Sequence, residues 1–483
     1  MQEMDGLDRR SLDQARISRD PRFDGRFFIA VRTTGIYCRP ICPAPRCKSM
    51  NVRYYPTAAA AASAGYRPCL RCRPEAAPGT PAWLGTSAVV RRALRLIHDG
   101  ALNETGVEEL ALRVGVGPRH LHRLFLQHVG ASPVAVAQTR RLHFAKRLLD
   151  DTVLPMTQVA LAAGYGSLRR FNCAFRETYG KSPRELRRQR RSGTAPVADD
   201  EILLKLSYRP PYDWEQVSGF LAREACAGVE RVDETGYART VETADGAATI
   251  HVVPAAGEHA LLLRVRGAAP AALFQISASV RRAFDLGADS FAIAGALSAD
   301  PRLARLVRRR PGLRIPGAWD PFECAVRATL ALNLAPATSR AIAARLADRC
   351  GKPLVTGKPG LSRLFPRASA LLRSNLESLG LSAARAAKLR ALARAVEEAR
   401  IDFSAPVDEV RRALAAVQGI GESVAEYVAM RALAEPDALP GADLALRRAA
   451  APRAGTLETR RLVERAEAWR PWRSYAAMHL WCG

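Results

Sequence analysis

The stretch LAAVQGIGESVAEYVAMRALAEPDALPGADLAL, Leu414 to Leu446, joins a Gly-x-Gly turn to a downstream aspartate. Gly419, Ile420 and Gly421 sit between two apolar-periodic runs, Val410–Val417 and Val424–Leu433. That spacing predicts two helices meeting at a turn that glycine makes tightly. The turn leaves backbone N–H groups unpaired at the start of the second helix, where the helix dipole favours a phosphate whatever base it carries. Beyond Pro440, Asp443 stands just ahead of the helical run LALRRAA. A carboxylate is therefore expected at a helix start beside the phosphate grip, and helix capping alone would also place an aspartate there.

This hairpin with its aspartate resembles the helix-hairpin-helix glycosylase superfamily, and VAEYVAMRAL with WRPWRSYAAMHLW is similar to its AlkA-type branch. The resemblance runs from about residue 200 to the end. It implies a small α+β domain (200–290) and an all-α glycosylase domain (291–483) that excises alkylated bases such as 3-methyladenine from DNA. Within it Asp443 would be catalytic, its fixed carboxylate stabilising oxocarbenium character on the deoxyribose. Tyr427 and Trp481 would hold the flipped, cationic base by stacking and cation–π attraction, with ordinary core packing as the alternative for both. Gly419 and Gly421 would grip the DNA backbone. Ser423 occupies the place of the Schiff-base lysine of bifunctional relatives, so strand cleavage is not expected. Two positions depart from the family pattern. RATLALNLA, Arg327 to Ala335, stands where the family reads close to RAILGQQVS, which puts the wedge for the flipped-out base near Asn333. Ser423 also replaces the tryptophan that usually follows the hairpin.

Composition agrees with a nucleic-acid partner. The 483 residues carry a formal net charge of +26 while 48% are hydrophobic, so polyanion binding is the leading inference. The length suggests about three domains. No apolar run approaches membrane-spanning length and MQEMDGLDRRS lacks a signal region, so a cytoplasmic, nucleoid-associated protein with no membrane partner is expected.

Of ten cysteines, Cys38 and Cys42 are separated by three residues and Cys69 and Cys72 by two, with 26 between the pairs. This is a four-thiolate Zn2+ spacing, two disulfides being the alternative. Cys47 is a fifth thiol outside the set, and the remaining cysteines are scattered singly, as core thiols are. RFDGRFFIAVRTTGIYCRPICPAP and NVRYYPTAAAAASAGYRPCLRCRPE resemble the zinc domain of the Ada family, which repairs methylphosphotriesters. For residues 1–76 this implies that Cys38 is the methyl acceptor, acting once. A metal-bound sulfur stays a thiolate at neutral pH, and methylating it removes a negative charge that repels DNA phosphate.

PEAAPGTPAW reads as a linker, and an internal repeat follows. VEELALRVGVGPRHLHRLFLQHVGASP, Val107 to Pro133, parallels MTQVALAAGYGSLRRFNCAFRETYGKSP, Met156 to Pro183, aligning Gly115 with Gly164 and Phe125 with Phe175. Each copy reads as an all-α helix-turn-helix, and the tandem resembles the AraC family of transcription activators over residues 84–191. Arg119, His120 and His122 in the first unit and Ser167, Arg169, Arg170 and Asn172 in the second are then base-facing candidates, with phosphate contact the alternative. Arg184, Arg187, Arg188, Arg190 and Arg191 form a basic run suited to DNA backbone.

The combined expectation is a multidomain chain that senses methylated double-stranded DNA through Zn2+-held thiols, activates promoters with RNA polymerase, and excises alkylated bases. The alternative is a pure regulator whose glycosylase-like domain is inactive. No Pro-Cys-His-Arg motif occurs, so O6-methylguanine repair is not expected.

Overall fold

The computed structural model describes residues 7–78, 88–98, 100–188, 201–451 and 455–483. Arg190, Arg191 and the later part of the Pro74–Trp83 linker lie outside the described residues. The chain forms two compact units, one of Met1–Pro210, Ala255–Arg281 and Leu286–Asp289, the other of Pro211–Pro254, Arg282–Asp285 and Ser290–Gly483.

In the first unit, strands β1 (Phe28–Val31), β2 (Ile36–Cys38), β3 (Val52–Tyr55) and β4 (Arg67–Pro68) form a sheet of order β3-β1-β2-β4. Strand alternation sends Phe27, Ile29 and Val52 to one core and Phe28, Ala30 and Tyr37 to another, so the small sheet is covered on both faces. The pairs around β1 are antiparallel, whereas β2 and β4 run parallel with Tyr37 opposite Pro68. The next residues in that register are Cys38 and Cys69, and the Cys69 amide donates to the Tyr37 carbonyl at 3.0 Å. This short parallel pair brings one thiol of each cysteine pair together.

The repeat folds as two helix-turn-helix units, Val107–Arg113 with Pro118–Val129 and Met156–Ala162 with Leu168–Tyr179, joined by the helix Pro133–Asp151. Each turn needs left-handed backbone at the matched glycine, φ +75° at Gly115 and +78° at Gly164. Phe125 and Phe175 are fully buried at matched positions. The same unit holds the antiparallel pair Glu201–Ser207 and Ala260–Arg266.

In the second unit, Glu230–Asp233, Gly236–Thr243 and Gly246–Pro254 form an antiparallel meander, and the helix Trp214–Glu224 precedes it. The rest is helical. Pro321–Ala331, Ala383–Glu397, Val407–Ala415 and Glu422–Arg431 pack around Val326, Leu330, Leu389, Leu414, Val424 and Val428. Leu414 is fully buried, and its truncation to alanine is expected to cost about 3 kcal/mol. The structure thus has the expected classes: a small α+β domain carrying four clustered thiols, an all-α tandem helix-turn-helix, and α+β elements with a helix-hairpin-helix domain.

Candidate functional site

In the second unit a cavity of about 410 Å3 is walled by residues of the helix Trp214–Glu224, the meander, the helix Pro321–Ala331, the hairpin's second helix and the segment leading to Asp443. Asp443, Tyr427, Trp481, Asn333 and Ser423, all singled out in the sequence, line it together. Gly419 and Gly421 stand outside the lining.

Asp443 is the N-cap of the helix Leu444–Ala450, as its position predicts, and its Oδ1 accepts the Leu446 amide at 2.7 Å. The same oxygen accepts the Trp481 indole N–H at 3.0 Å. Among the described residues no donor reaches Oδ2. Capping and cavity lining therefore coexist in one carboxylate, oriented by two donors and open at its second oxygen.

Tyr427 is half-buried, and the buried Arg431 donates to its hydroxyl and to the Pro316 carbonyl. The Arg431 guanidinium lies 4.5 Å from the Phe220 ring centroid and 5.3 Å from that of Tyr427. Burial pushes the Tyr427 phenol up to about 12, so it is neutral in the cavity wall.

A polar part of the cavity wall has no signal in the local sequence. Arg239 reaches Glu323 at 2.8 Å and Glu230 at 3.3 Å, while Arg327 reaches Glu230 at 2.8 Å and Glu323 at 2.9 Å. Tyr237 adds a hydroxyl to Glu230 at 2.7 Å. Burial pushes the Glu230 carboxyl up, but Arg327 and then Arg239 outweigh it and hold the group below its ordinary value. The ring fixes a further aromatic, because the Arg239 guanidinium sits 5.2 Å from the centroid of Trp319, whose indole also lines the cavity.

Asn333 is exposed at the cavity rim in left-handed backbone, φ +55°, a conformation asparagine tolerates better than most residues. Its neighbours Leu332 and Leu334 pack partly against the helical core. In the hairpin, left-handed φ (+81°) is needed at Gly419 alone. Gly421 is extended (φ −96°, ψ 177°) and caps the second helix, and a Cβ built there meets nothing within 4 Å. Of the nearby carboxylates, Glu426 is buried, paired with Arg411 and accepting the Leu439 amide at 2.9 Å. That side chain is structural.

In the first unit the ligand atoms of Cys38, Cys42, Cys69 and Cys72 all lie within 4.8 Å of one another. Four sulfurs this close fit a tetrahedral zinc, whose Zn–S bonds are about 2.3 Å. Cys69 and Cys72 are buried, whereas Cys38 and Cys42 are half-buried. Arg39 ties the loop: its amide donates to Cys72 Sγ at 3.3 Å and its guanidinium pairs with Asp24. Cys47 stands outside the cluster, as expected.

On the helix-turn-helix units Arg119, His120, His122, Arg169 and Arg170 are exposed, while Asn172 is half-buried. The Ser167 side-chain oxygen accepts the Arg170 amide as helix N-cap at 3.3 Å, which leaves its hydroxyl proton free to donate.

Comparison with known proteins adds to this geometry. Residues 11–75 match the family described as the metal binding domain of Ada, 110–189 a helix-turn-helix domain, and 203–320 the AlkA N-terminal domain. A Mycobacterium tuberculosis protein named probable bifunctional transcriptional activator/DNA repair enzyme AlkA is 40% identical over 468 residues, 96% of this chain and 94% of that one. DNA-3-methyladenine glycosylase 2 of Escherichia coli is 32% identical over 281 residues, 57% of this chain and 95% of the relative. The solved 3-methyladenine DNA-glycosylase of Archaeoglobus fulgidus aligns with a TM-score of 0.52 at 18% identity, covering 57% of this chain and 96% of that one, a likeness of fold.

Proposed function

Because this chain belongs to the family of bifunctional transcriptional activator/DNA repair enzymes that join Ada-type and AlkA-type domains, we propose that it both senses and repairs alkylated DNA. Its modules are 1–76 for methyl sensing, 84–191 for promoter binding, and 200–290 with 291–483 for base excision. The observation that carries the glycosylase reading is Asp443, oriented by Leu446 and Trp481 in the wall of a cavity that Tyr427 and Trp319 also line.

The excision step follows from that wall. A base flipped out of the duplex enters the cavity and stacks on aromatic rings. An alkylated purine such as 3-methyladenine already carries positive charge, so it departs with the glycosidic electron pair without a strong general acid. The deoxyribose is left with oxocarbenium character, which the Asp443 carboxylate stabilises until water adds to the anomeric carbon. Ser423 offers no amine for a Schiff base, so hydrolysis ends the reaction without strand cleavage. Asn333 at the rim fills the gap in the duplex, and the hairpin from Gly419 to Gly421 holds the backbone.

In the first unit Cys38, Cys42, Cys69 and Cys72 would hold Zn2+, which keeps its sulfur ligands deprotonated at neutral pH. Cys38, half-buried at the end of β2, is the acceptor. Its sulfur forms a bond to the methyl carbon as the bond from that carbon to phosphate oxygen breaks, leaving an ordinary phosphodiester anion. The thiol cluster loses one negative charge, so repulsion from DNA phosphate falls and promoter binding strengthens. Arg119, His122, Arg169, Arg170 and Asn172 face promoter DNA, RNA polymerase is the partner in activation, and the protein works in the cytoplasm at the nucleoid.

Chromatography of bases released from methylated DNA by the full-length protein tests the enzyme. Release of 3-methyladenine is expected. No release would leave the regulator reading in its place.

A further inference from the structure

We propose that Glu224 is a substrate-reading residue of the base cavity, an acceptor that selects cationic bases presenting an N–H donor. The proposal rests on the glycosylase reading of this cavity. Glu224 is the last residue of the helix Trp214–Glu224 and lines the cavity, and Arg327 donates to its backbone carbonyl, which fixes the helix end to the polar wall.

The charged lining is three arginines, Arg239, Arg327 and Arg431, and four carboxylates, Glu224, Glu230, Glu323 and Asp443. Three of those carboxylates are engaged. Glu230 and Glu323 share Arg239 and Arg327, and Asp443 accepts from Leu446 and Trp481. Among the described residues no hydrogen-bond donor or cation pairs with the Glu224 carboxylate, although it stands close enough to bear electrostatically on the Tyr427 phenol and on Arg327.

Two consequences follow for the occupant. With Glu224 the lining carries one negative charge in excess, which suits a cation, and without it the cavity would be neutral beside Arg431. An ionised carboxylate can only accept hydrogen bonds, so its partner must bring an N–H. 3-Methyladenine brings its exocyclic amino group and a positive charge. 1,N6-Ethenoadenine, whose added ring consumes both N1 and the amino group, brings neither.

The test uses full-length protein and single-turnover release of 3-methyladenine from methylated DNA and of ethenoadenine from a defined duplex. In Glu224→Gln the ratio of the two rates is expected to fall roughly 10-fold, since a hydrogen bond to a charged group is exchanged for one to an amide that also donates. Glu224→Ala is expected to lower it further. Binding of abasic-site DNA within about 2-fold of wild type shows that the variants fold and grip DNA, since neither substitution touches the hairpin. A ratio unchanged in both variants overturns the proposal. If the wild type releases neither base, the glycosylase reading falls by itself. Tryptophan fluorescence titration with 3,9-dimethyladeninium, which keeps both the fixed positive charge and the exocyclic amino group, then decides Glu224: weaker binding in Glu224→Gln supports it, and equal binding overturns it.

Discussion

Trp481 and the backbone amide of Leu446 donate to the same oxygen of Asp443, at 3.0 and 2.7 Å. One donor comes from the end of the helix Arg473–Trp481 and the other from the helix that Asp443 itself caps. A carboxylate pinned by two elements needs no reorganisation as charge develops beside it, which is the condition under which a fixed anion is most effective. Trp481 thus orients the Asp443 carboxylate as well as lining the cavity.

Asp443→Asn preserves both hydrogen bonds, because an amide oxygen accepts as a carboxylate does, and removes only the charge. Single-turnover release of 3-methyladenine is expected to fall on the order of 10²-fold or more, about 3 kcal/mol, with DNA binding retained. Trp481→Phe keeps a ring but not the donor, and is expected to lose roughly 10-fold in rate. Equal rates in Asp443→Asn and wild type would move the catalytic anion elsewhere.

One equivalent of zinc is expected per chain. Cys69→Ser or Cys72→Ser removes a buried ligand from a small domain that draws much of its folding energy from the metal, so both should lose zinc and the fold of residues 1–76. Cys38→Ser should abolish methyl uptake from phosphotriester DNA, read as the missing methyl mass on the peptide that contains it. A methyl found on Cys42 would reassign the acceptor.

The sites legible in the sequence are those built from neighbours. The two cysteine pairs, the Gly-x-Gly turn with Asp443, and the repeated helix-turn-helix each announce themselves by short spacing. The Arg239, Arg327, Glu230 and Glu323 ring does not, because the two pairs that close it span 84 and 97 residues, while its local pairs, Glu323 with Arg327 one helix turn on and Glu230 with Arg239 across a strand pair, read by themselves as ordinary surface pairs. Trp319 and Glu224 carry no local signal either, since each gains meaning only from that wall. Helix ends are also blurred in the sequence. The run to Val417 overshoots the helix Val407–Ala415 because Val417 and Ile420, buried in the turn itself, prolong the apolar rhythm. Ser167 caps its helix by accepting, a role its position ahead of the run LRRFNCAF already suggests, and keeps an O–H to donate.

His143 on the helix Pro133–Asp151 shares a hydrogen bond of 3.0 Å with the buried Tyr37, one residue before Cys38. Burial first, then Arg147, pushes its pKa down from 6.5 to about 3. The sign follows: folding favours the neutral ring, so the contribution is complete above pH 6.5 and is lost as pH falls from there toward 3. The first unit should therefore lose up to about 1 kcal/mol between pH 6.5 and 5.5. His143→Gln, which does not titrate, should flatten the pH dependence of amide-exchange protection in the helix Pro133–Asp151 over that range relative to wild type. Parallel pH profiles for the two proteins would remove His143 as the cause.

The last prediction concerns Arg239, which is 3% exposed and bridges Glu230 and Glu323 beneath the Trp319 ring. Arg239→Met keeps most of the volume but leaves two buried carboxylates to share Arg327. Removing one partner from a buried charge set typically costs about 3–5 kcal/mol, because the charge left behind is uncompensated in a poor solvent for ions. Glu323 belongs to the first turn of the helix Pro321–Ala331, so that helix should bear the strain. In a chain with several cooperative units one melting temperature averages over all of them, whereas amide exchange resolves the helix itself. Exchange in the peptide spanning 321–331 should accelerate by at least 10-fold if about 1.4 kcal/mol or more of the loss is felt locally. Unchanged exchange there, with wild-type excision, would show the ring to be incidental to the cavity wall. Faster exchange with slowed excision would show that the polar wall holds the base site in shape.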